Sequence, residues 1–345
     1  MSPSHSTRFK NPRAKHDFLG RTCSISGVGS YVPAKVLTNA ELARMIETTD
    51  EWITTRTGIK ERRIAAKNEF TSDLATQAAL CAMRRAGVTA DQVDLIIVAT
   101  ATPDMPFPST ACLVQRKIGA HRAAAFDLEA ACSGFIYGLE IGQQFIMSRT
   151  YDTVLVIGAE KLSSIVDWKD RNTCVLFGDG AGAAVLRAVP EGHGILSSYM
   201  RADGSGSEML TIPGGGSRYP ASAETIAAHQ HYIHMAGNEV FKFAVRAVED
   251  AIATALERAG LTTADVNVVI PHQANIRIIE AVQKRVNIPE ERWVINIQEY
   301  SNTSAATIPI ALNEAFEQER IHDGDIVLLV GFGGGLTWGA TVMRW

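Results

Sequence analysis

Cys132 stands in the stretch DLEAACSGFIYGLEIG (127–142), between a short apolar run and an apolar helical pattern, flanked by Ala131, Ser133 and Gly134. A cysteine at a helix N-terminus is the one whose thiolate is favoured, because free backbone N–H groups and the helix dipole stabilise negative charge there. Small neighbours permit a tight turn and leave room for a substrate, so the corner reads as a device that activates a nucleophile. A small buried hydrophobe, which is what most free cysteines are, would also suit the position. Two other residues weigh against that. His272 ends an apolar strand in IPHQANIR, among Pro271, Gln273 and Asn275. Asn302 lies in SNTSAATIP, where an N-cap or an Asx-turn is the plainer reading. One shared site accounts for all three residues more economically than three separate structural roles.

The elements that must position them repeat. RRAGVTADQVDLIIVAT, from Arg84, matches ERAGLTTADVNVVIPHQ, from Glu257, at an offset of 173, and DTVLVIGAEK, from Asp152, matches DIVLLVGFGG, from Asp325, at the same offset. Each half reads as amphipathic helix, glycine, short loop, apolar strand, second helix, apolar strand. Phe241, Val245, Val248, Ile252 and Ala255 recur at helical spacing, and Gly260 serves as the stop. The runs 95–99, 153–158, 266–270 and 326–331 are continuously apolar, as in strands of a parallel sheet covered on both faces. The expected fold is therefore α/β with two similar halves, 21–190 and 191–345, after a polar, basic extension over 1–20 that reads as disordered. Ligands of open α/β sheets sit beyond the carboxyl ends of strands, so Cys132, His272 and Asn302 are expected to converge where the halves meet.

Composition narrows the function further. At 345 residues the chain exceeds one ordinary core, and 46% hydrophobic with 20% charged residues describes a soluble globular protein. A net charge of -4 leaves no footprint for nucleic acid, and no apolar run reaches a membrane span. Five cysteines at no metal-like spacing, without a secretory signal, point to reduced thiols in a cytoplasm. FGDGAGAAVL lacks the ending of a phosphate-binding loop and reads as a turn between strands. HQHYIH puts His229 and His231 on one side of a strand with His234 nearby, yet no carboxylate or cysteine completes a metal site, so no metal is expected. The Gly/Ser-rich segment 202–224 reads as a mobile surface excursion.

Several strings, in order, carry a resemblance: GVGSYVPAKVLTN, TTDEWITTRTGI, LEAACSGFIYGL, FGDGAGAAVL, HMAGNEVF, PHQANIRI, NTSAATIP and GFGGGLTWG. From about Ile25 to Trp345 the chain resembles the thiolase superfamily and, more narrowly, the 3-oxoacyl-acyl-carrier-protein synthase III family, which starts fatty-acid chains. The resemblance implies a layered α-β-α-β-α core and a ping-pong reaction. Cys132 takes an acyl group from a short acyl-CoA; malonyl-carrier protein then loses carbon dioxide, and its carbanion attacks the acyl-enzyme. It assigns His272 and Asn302 to the malonyl thioester oxygen, and the backbone N–H groups of Cys132 and Gly334 to the acyl oxyanion. Trp52, Arg56, Arg171 and Asn238 resemble residues that hold coenzyme A. Phe107 resembles the aromatic that closes a partner's acyl pocket across a homodimer, with Leu162 and Phe177, and more loosely Met105, lining it. Arg277, Lys242, Lys284 and Arg285 are candidates for meeting the carrier protein, although solvated helix charge explains the last three as well. No cofactor beyond the coenzyme A thioester substrate is implied.

Competing readings differ at identifiable residues. A degradative thiolase would place a second cysteine in the turn that here reads GFGGG, and an elongating synthase a second histidine where Asn302 stands. Condensing enzymes of polyketide or quinolone metabolism share the Cys-His-Asn set. A catalytically silent dimeric paralogue would be expected to lack one of the three.

Overall fold

The computed structural model describes residues 21–190 and 192–345, so the extension expected over 1–20 lies outside the described residues. Two mixed sheets form the frame. In the first, strands run in the order Thr22–Tyr31, Asp179–Val189, Thr153–Lys161, Leu95–Ala99, Ala124–Leu128. In the second the order is Val268–Pro271, Ile326–Gly333, Thr337–Arg344, Gly194–Ala202. The chain thus passes from one sheet to the other between Val189 and Gly194.

The apolar runs that read as doubly covered strands are buried along their lengths except at 266–270, where Asn267 is exposed and the buried strand starts at Val268. They are parallel to one another, Leu95 beside Val154 and Val268 beside Val327. Each sheet then continues with antiparallel partners, so neither is wholly parallel. One of those partners corrects the reading of FGDGAGAAVL: residues 179–189 form an inner strand rather than a turn. Its glycines serve close packing. A Cβ at Gly182 would lie 2.6 Å from Pro309 Cβ and 2.8 Å from the Ile310 backbone nitrogen, so only glycine lets the helix Thr307–Glu317 settle there.

Helices Gly134–Met147 and Thr307–Glu317 lie between the sheets, and the central cluster draws Phe135, Leu139, Ile308 and Leu312 together with Ile97, Val156, Ile270 and Leu329. Thr71–Ala86 and Thr110–Ile118 cover the outer face of the first sheet, and Gly237–Ala259 and Ile276–Val286 that of the second. The result is five layers, α-β-α-β-α.

The sequence offset of 173 recurs in space. Strands beginning at Leu95 and Thr153 correspond to those beginning at Val268 and Ile326, and the left-handed helix stop Gly87 to Gly260. The tight 3₁₀ turn Ala131–Ser133 corresponds to Ser304–Ala306, and the buried helices that follow begin at Gly134 and Thr307. The two central helices therefore start at equivalent turns, and these turns pack on one another.

Candidate active site

Cys132 sits in the first of these turns, 7% exposed. Ala131 before it adopts a left-handed φ of 44°, and its counterpart Ser304 a φ of 50°. Non-glycine residues pay for that conformation and hold it where the surroundings over-determine it, typically at functional sites. Two helix N-termini consequently meet beside one sulfur, which favours negative charge there. The end of the last parallel strand closes the pocket. A Cβ on Gly333 would stand 2.6 Å from the Cys132 nitrogen, so the glycine run lets backbone amides approach the nucleophile. Gly334 follows and lines the same cavity as Cys132.

His272 ends the strand Val268–Pro271, where its backbone N–H donates to the Val330 carbonyl at 2.8 Å. Its ring is wedged edge-on against Phe332, centroids 5.4 Å apart, and Nδ1 lies 2.6 Å from Thr307 Oγ1. Burial drives its pKa down to about 3, so the ring is neutral. Asn302 bridges to Phe177. Its Oδ1 accepts from the Ser304 N–H at 2.8 Å. The plain Asx-turn reading is thus correct, and it has a chemical consequence. With Oδ1 engaged, the amide offers the cavity its N–H₂ group, a donor only. Cys132, His272 and Asn302 all line one cavity of about 410 Å³. A Cβ on Gly331 would touch both the Cys132 carbonyl, at 3.6 Å, and His272 Cβ, at 3.7 Å, which shows how closely the two residues flank that glycine.

Burial works against the thiolate that the helix N-termini favour. Burial pushes the Cys132 thiol up to about 12; Ser304 hydrogen bonding opposes this, and the carboxylate of Glu160 adds to it. Glu160 was not singled out from the sequence, although an acidic residue closing the apolar strand TVLVIGAE was the available signal. It is fully buried and accepts from Thr102 Oγ1 at 2.5 Å, from the Ala101 N–H at 3.1 Å and from Thr100 Oγ1 at 3.3 Å. Burial raises its pKa to about 7 against those donors and Ser304. Ser304 therefore stands between the nucleophile and a buried carboxyl.

At the outer end of the cavity lie Trp52, Arg56, Asn238 and Arg277. Thr49 caps the helix Asp50–Thr57 by accepting from the Trp52 N–H at 3.0 Å, and Arg56, one turn on, places its guanidinium 4.6 Å from the indole centroid. Arg171 reaches the same indole at 4.8 Å and donates to the Glu47 carbonyl. An indole between guanidiniums suits a flat base carrying phosphates. A second cavity of about 380 Å³ on the far side of Cys132 is lined by Leu162, Phe177 and Ile233, and Leu210 borders both. Leu210 comes from the segment 202–224, which is largely exposed, as a surface excursion would be, but is tied down beside the site. Asp203 and Leu336 exchange backbone bonds at 2.8 and 2.9 Å, and Leu210–Thr211 pairs with His234–Met235.

Other expected residues fall elsewhere. Phe107 is 85% exposed and Met105 is exposed beside it, and neither lines either of the two cavities at Cys132. Lys242 and Arg277 are exposed. Lys284 and Arg285 sit at the far end of the helix that begins at Ile276, about 12 Å from Arg277 at 1.5 Å per residue. Arg285 is engaged with Glu249 at 3.0 Å, which joins two outer helices. HQHYIH forms turns, with only His234 in a strand. There His229 pairs with Asp167 at 2.7 Å and His231 with Thr225 at 2.9 Å. Among the described residues, no cluster of three or more His, Cys, Asp or Glu side chains could hold a metal ion, and no helix is long and apolar enough to cross a membrane.

Comparison with known proteins gives the chain's relatives. Residues 126–204 match the model of 3-oxoacyl-[acyl-carrier-protein] synthase III, and residues 256–345 that of its C-terminal part. A beta-ketoacyl-[acyl-carrier-protein] synthase III of Symbiobacterium thermophilum is 58% identical over 94% of this chain and 98% of its own. The crystal structure of a 3-oxoacyl-[acyl-carrier-protein] synthase III from Aquifex aeolicus superimposes with a TM-score of 0.87 at 51% identity, covering 94% of this chain and all of that one. A priming β-ketosynthase from a polyketide pathway also superimposes with a TM-score of 0.87, at 34% identity, over 94% of this chain and 96% of its own.

Proposed function

The chain belongs to the 3-oxoacyl-[acyl-carrier-protein] synthase III family, and we propose that it works through an acyl thioester on Cys132. Its fold is thiolase-like, and it is an acyltransferase that performs the initiating condensation of fatty-acid synthesis. In this reading the donor is a short acyl-CoA, the acceptor is malonyl-carrier protein, and the enzyme is a cytoplasmic homodimer. The observation that carries it is the convergence of Cys132, His272 and Asn302 on one cavity at paired helix N-termini.

In the first half-reaction the Cys132 thiol gives its proton to His272 Nε2 while the sulfur attacks the thioester carbonyl carbon. The carbon–sulfur bond to coenzyme A breaks, and the released thiolate takes the proton back. His272 is neutral at rest and so has a lone pair for that proton, while burial disfavours the imidazolium and drives the proton on to the departing coenzyme A sulfur. The N–H groups of Cys132 and Gly334 hold the oxyanion. In the second half-reaction the bond to the malonyl carboxylate breaks and carbon dioxide leaves. The electron pair forms an enolate, whose oxygen Asn302 and His272 hold. Its carbon attacks the acyl thioester, and the departing Cys132 thiolate is protonated from solvent. Trp52, Arg56, Arg171 and Asn238 bind coenzyme A. Leu162 and Phe177, with Phe107 of a second copy, enclose the acyl chain, while Lys242 and Arg277 at the mouth meet the acidic carrier protein.

Intact-protein mass spectrometry after incubation with a series of acyl-CoAs tests this. One acyl group is expected on the native protein and none on Cys132→Ala, and the best-loading chain identifies the primer. Loading only from carrier-protein thioesters would overturn the donor. The same adduct on Cys132→Ala would overturn the nucleophile. The second reading, a condensing enzyme of specialised metabolism, rests on the likeness to the priming β-ketosynthase, and the product formed from the best primer separates the two.

A further inference from the structure

The two half-reactions ask opposite things of one nitrogen. To take the Cys132 proton, His272 Nε2 must be bare; to hold the enolate oxygen, a neutral His272 must carry its proton there. In a neutral imidazole the other nitrogen decides which, and Nδ1 has one hydrogen-bond partner among the described residues, Thr307 Oγ1 at 2.6 Å. That hydroxyl has a second partner, the Ser304 carbonyl at 3.0 Å, which can only accept. Donating to Ser304, Thr307 accepts from Nδ1–H and leaves Nε2 bare. Donating to Nδ1, it leaves the proton on Nε2. Thr307 is fixed in place for either role: it opens the central helix Thr307–Glu317 and is 2% exposed, while its Ser304 partner sits in the left-handed turn.

We propose that Thr307 is a positioning residue that sets which ring nitrogen of His272 carries the proton, its hydroxyl turning between the Ser304 carbonyl and Nδ1 as the enzyme alternates between acyl transfer and condensation. The proposal rests on the roles given above to Cys132 and His272. No atom is consumed in the exchange. Nδ1 loses one proton and Nε2 gains one through solvent at the cavity mouth, and the hydroxyl rotates to match.

Thr307→Val keeps the shape and removes the hydroxyl. A buried Nδ1–H would then lack an acceptor, which costs more than an unused lone pair, so the ring shifts to the Nε2–H form. The expectation is asymmetric. Loading of acetyl from acetyl-CoA, followed by rapid quench and intact mass, slows roughly 100-fold, the scale of a lost general base, while single-turnover condensation by pre-loaded enzyme stays within roughly threefold. Thr307→Ser restores loading. Nitrogen-15 NMR of histidine-labelled protein, with His272 assigned by its absence in His272→Gln, shows the Nδ1–H form in the native protein and Nε2–H in Thr307→Val. Equal slowing of both half-reactions, or an unchanged tautomer, overturns the proposal. Wild-type loading by Thr307→Val overturns it alone, provided Cys132→Ala stays unloaded. An adduct on Cys132→Ala brings down the parent reading too.

Discussion

At the residue scale the site uses hydrogen bonds to remove choices. Asn302 has its carbonyl oxygen tied to the Ser304 N–H, so it meets the cavity only as a donor. Asn302→Asp keeps that tie but replaces the donor with a carboxylate. Condensation is expected to fall about 100- to 1000-fold, the usual cost of an oxyanion donor, while acyl loading on Cys132 survives; single-turnover measurements of the two half-reactions would show it. His272 makes a prediction about stability. Its pKa is about 3 when folded against 6.5 when free, so the folded state resists its protonation. The resulting stability is complete above pH 6.5 and is lost as pH falls toward 3, amounting to about 2 kcal/mol by pH 5. Glu160, raised to about 7, acts in the opposite sense but equally in wild type and variant. Denaturant titrations at pH 7 and pH 5 should show wild type losing that much more than His272→Gln. Equal losses would mean that His272 is hydrated and titrates normally. Cys132, His272 and Asn302 were legible because each stands at the boundary of a patterned element. Ser304 and Thr307 were not, since their importance lies in contacts made across the fold by ordinary residue types, whereas Glu160 left one signal, a carboxylate closing an apolar strand.

At the scale of elements, the duplication explains why the site is where it is. Two copies of a strand, tight turn and buried helix bring Ala131–Cys132–Ser133 and Ser304–Ala305–Ala306 face to face, so one half supplies the nucleophile and the other its surroundings. Apolar periodicity made those helices and the parallel strands legible. The strand 179–189 was not, because its glycines look like turn chemistry until the helix packed against them is known. The glycine turn is what makes close approach possible, and Gly333→Ala tests it. The added Cβ meets the Cys132 nitrogen at 2.6 Å and the Ser133 nitrogen at 3.2 Å, both backbone, so no side chain can yield. A shift of about 1 Å at the nucleophile should cost about 100-fold in acyl loading. Gly87→Ala is the comparison: its φ of 63° is strained for alanine, but nothing lies within 4 Å of the new Cβ. It should lose about 1 kcal/mol of stability and no loading activity.

At the scale of the whole molecule the two halves differ in how their sheets end. The second sheet stops at Val268–Pro271, where the next segment contributes one bridge, Val269 to Trp293, whose indole is buried. The first carries a full extra strand, Ala124–Leu128, with Phe126 and Leu128 half-buried and, among the described residues, no further strand beside it. Such an open, partly apolar edge invites pairing with another chain. Asp127 on that strand accepts from the Thr110 and Ala111 N–H groups, which ties the strand to the helix directly after the Phe107 loop. The edge strand thus adjoins the helix that follows the exposed Phe107 and Met105, and it leads directly into the turn holding Cys132. The proposed homodimer has a natural seat there, and it would place each Phe107 against the acyl cavity of the other copy. Phe107→Asp separates this arrangement from a monomer. On a monomer a charge at an 85% exposed position costs nothing. In the dimer it buries an unpaired carboxylate, so the dissociation constant should rise about 100-fold or more. Light scattering across a dilution series reads that constant, with circular dichroism showing the fold intact. The same variant should shift the preferred primer toward longer acyl-CoAs, because the residue that shortens the cavity has been withdrawn. Unchanged mass and unchanged primer preference would assign Phe107 to open surface and leave each chain to build its acyl pocket alone.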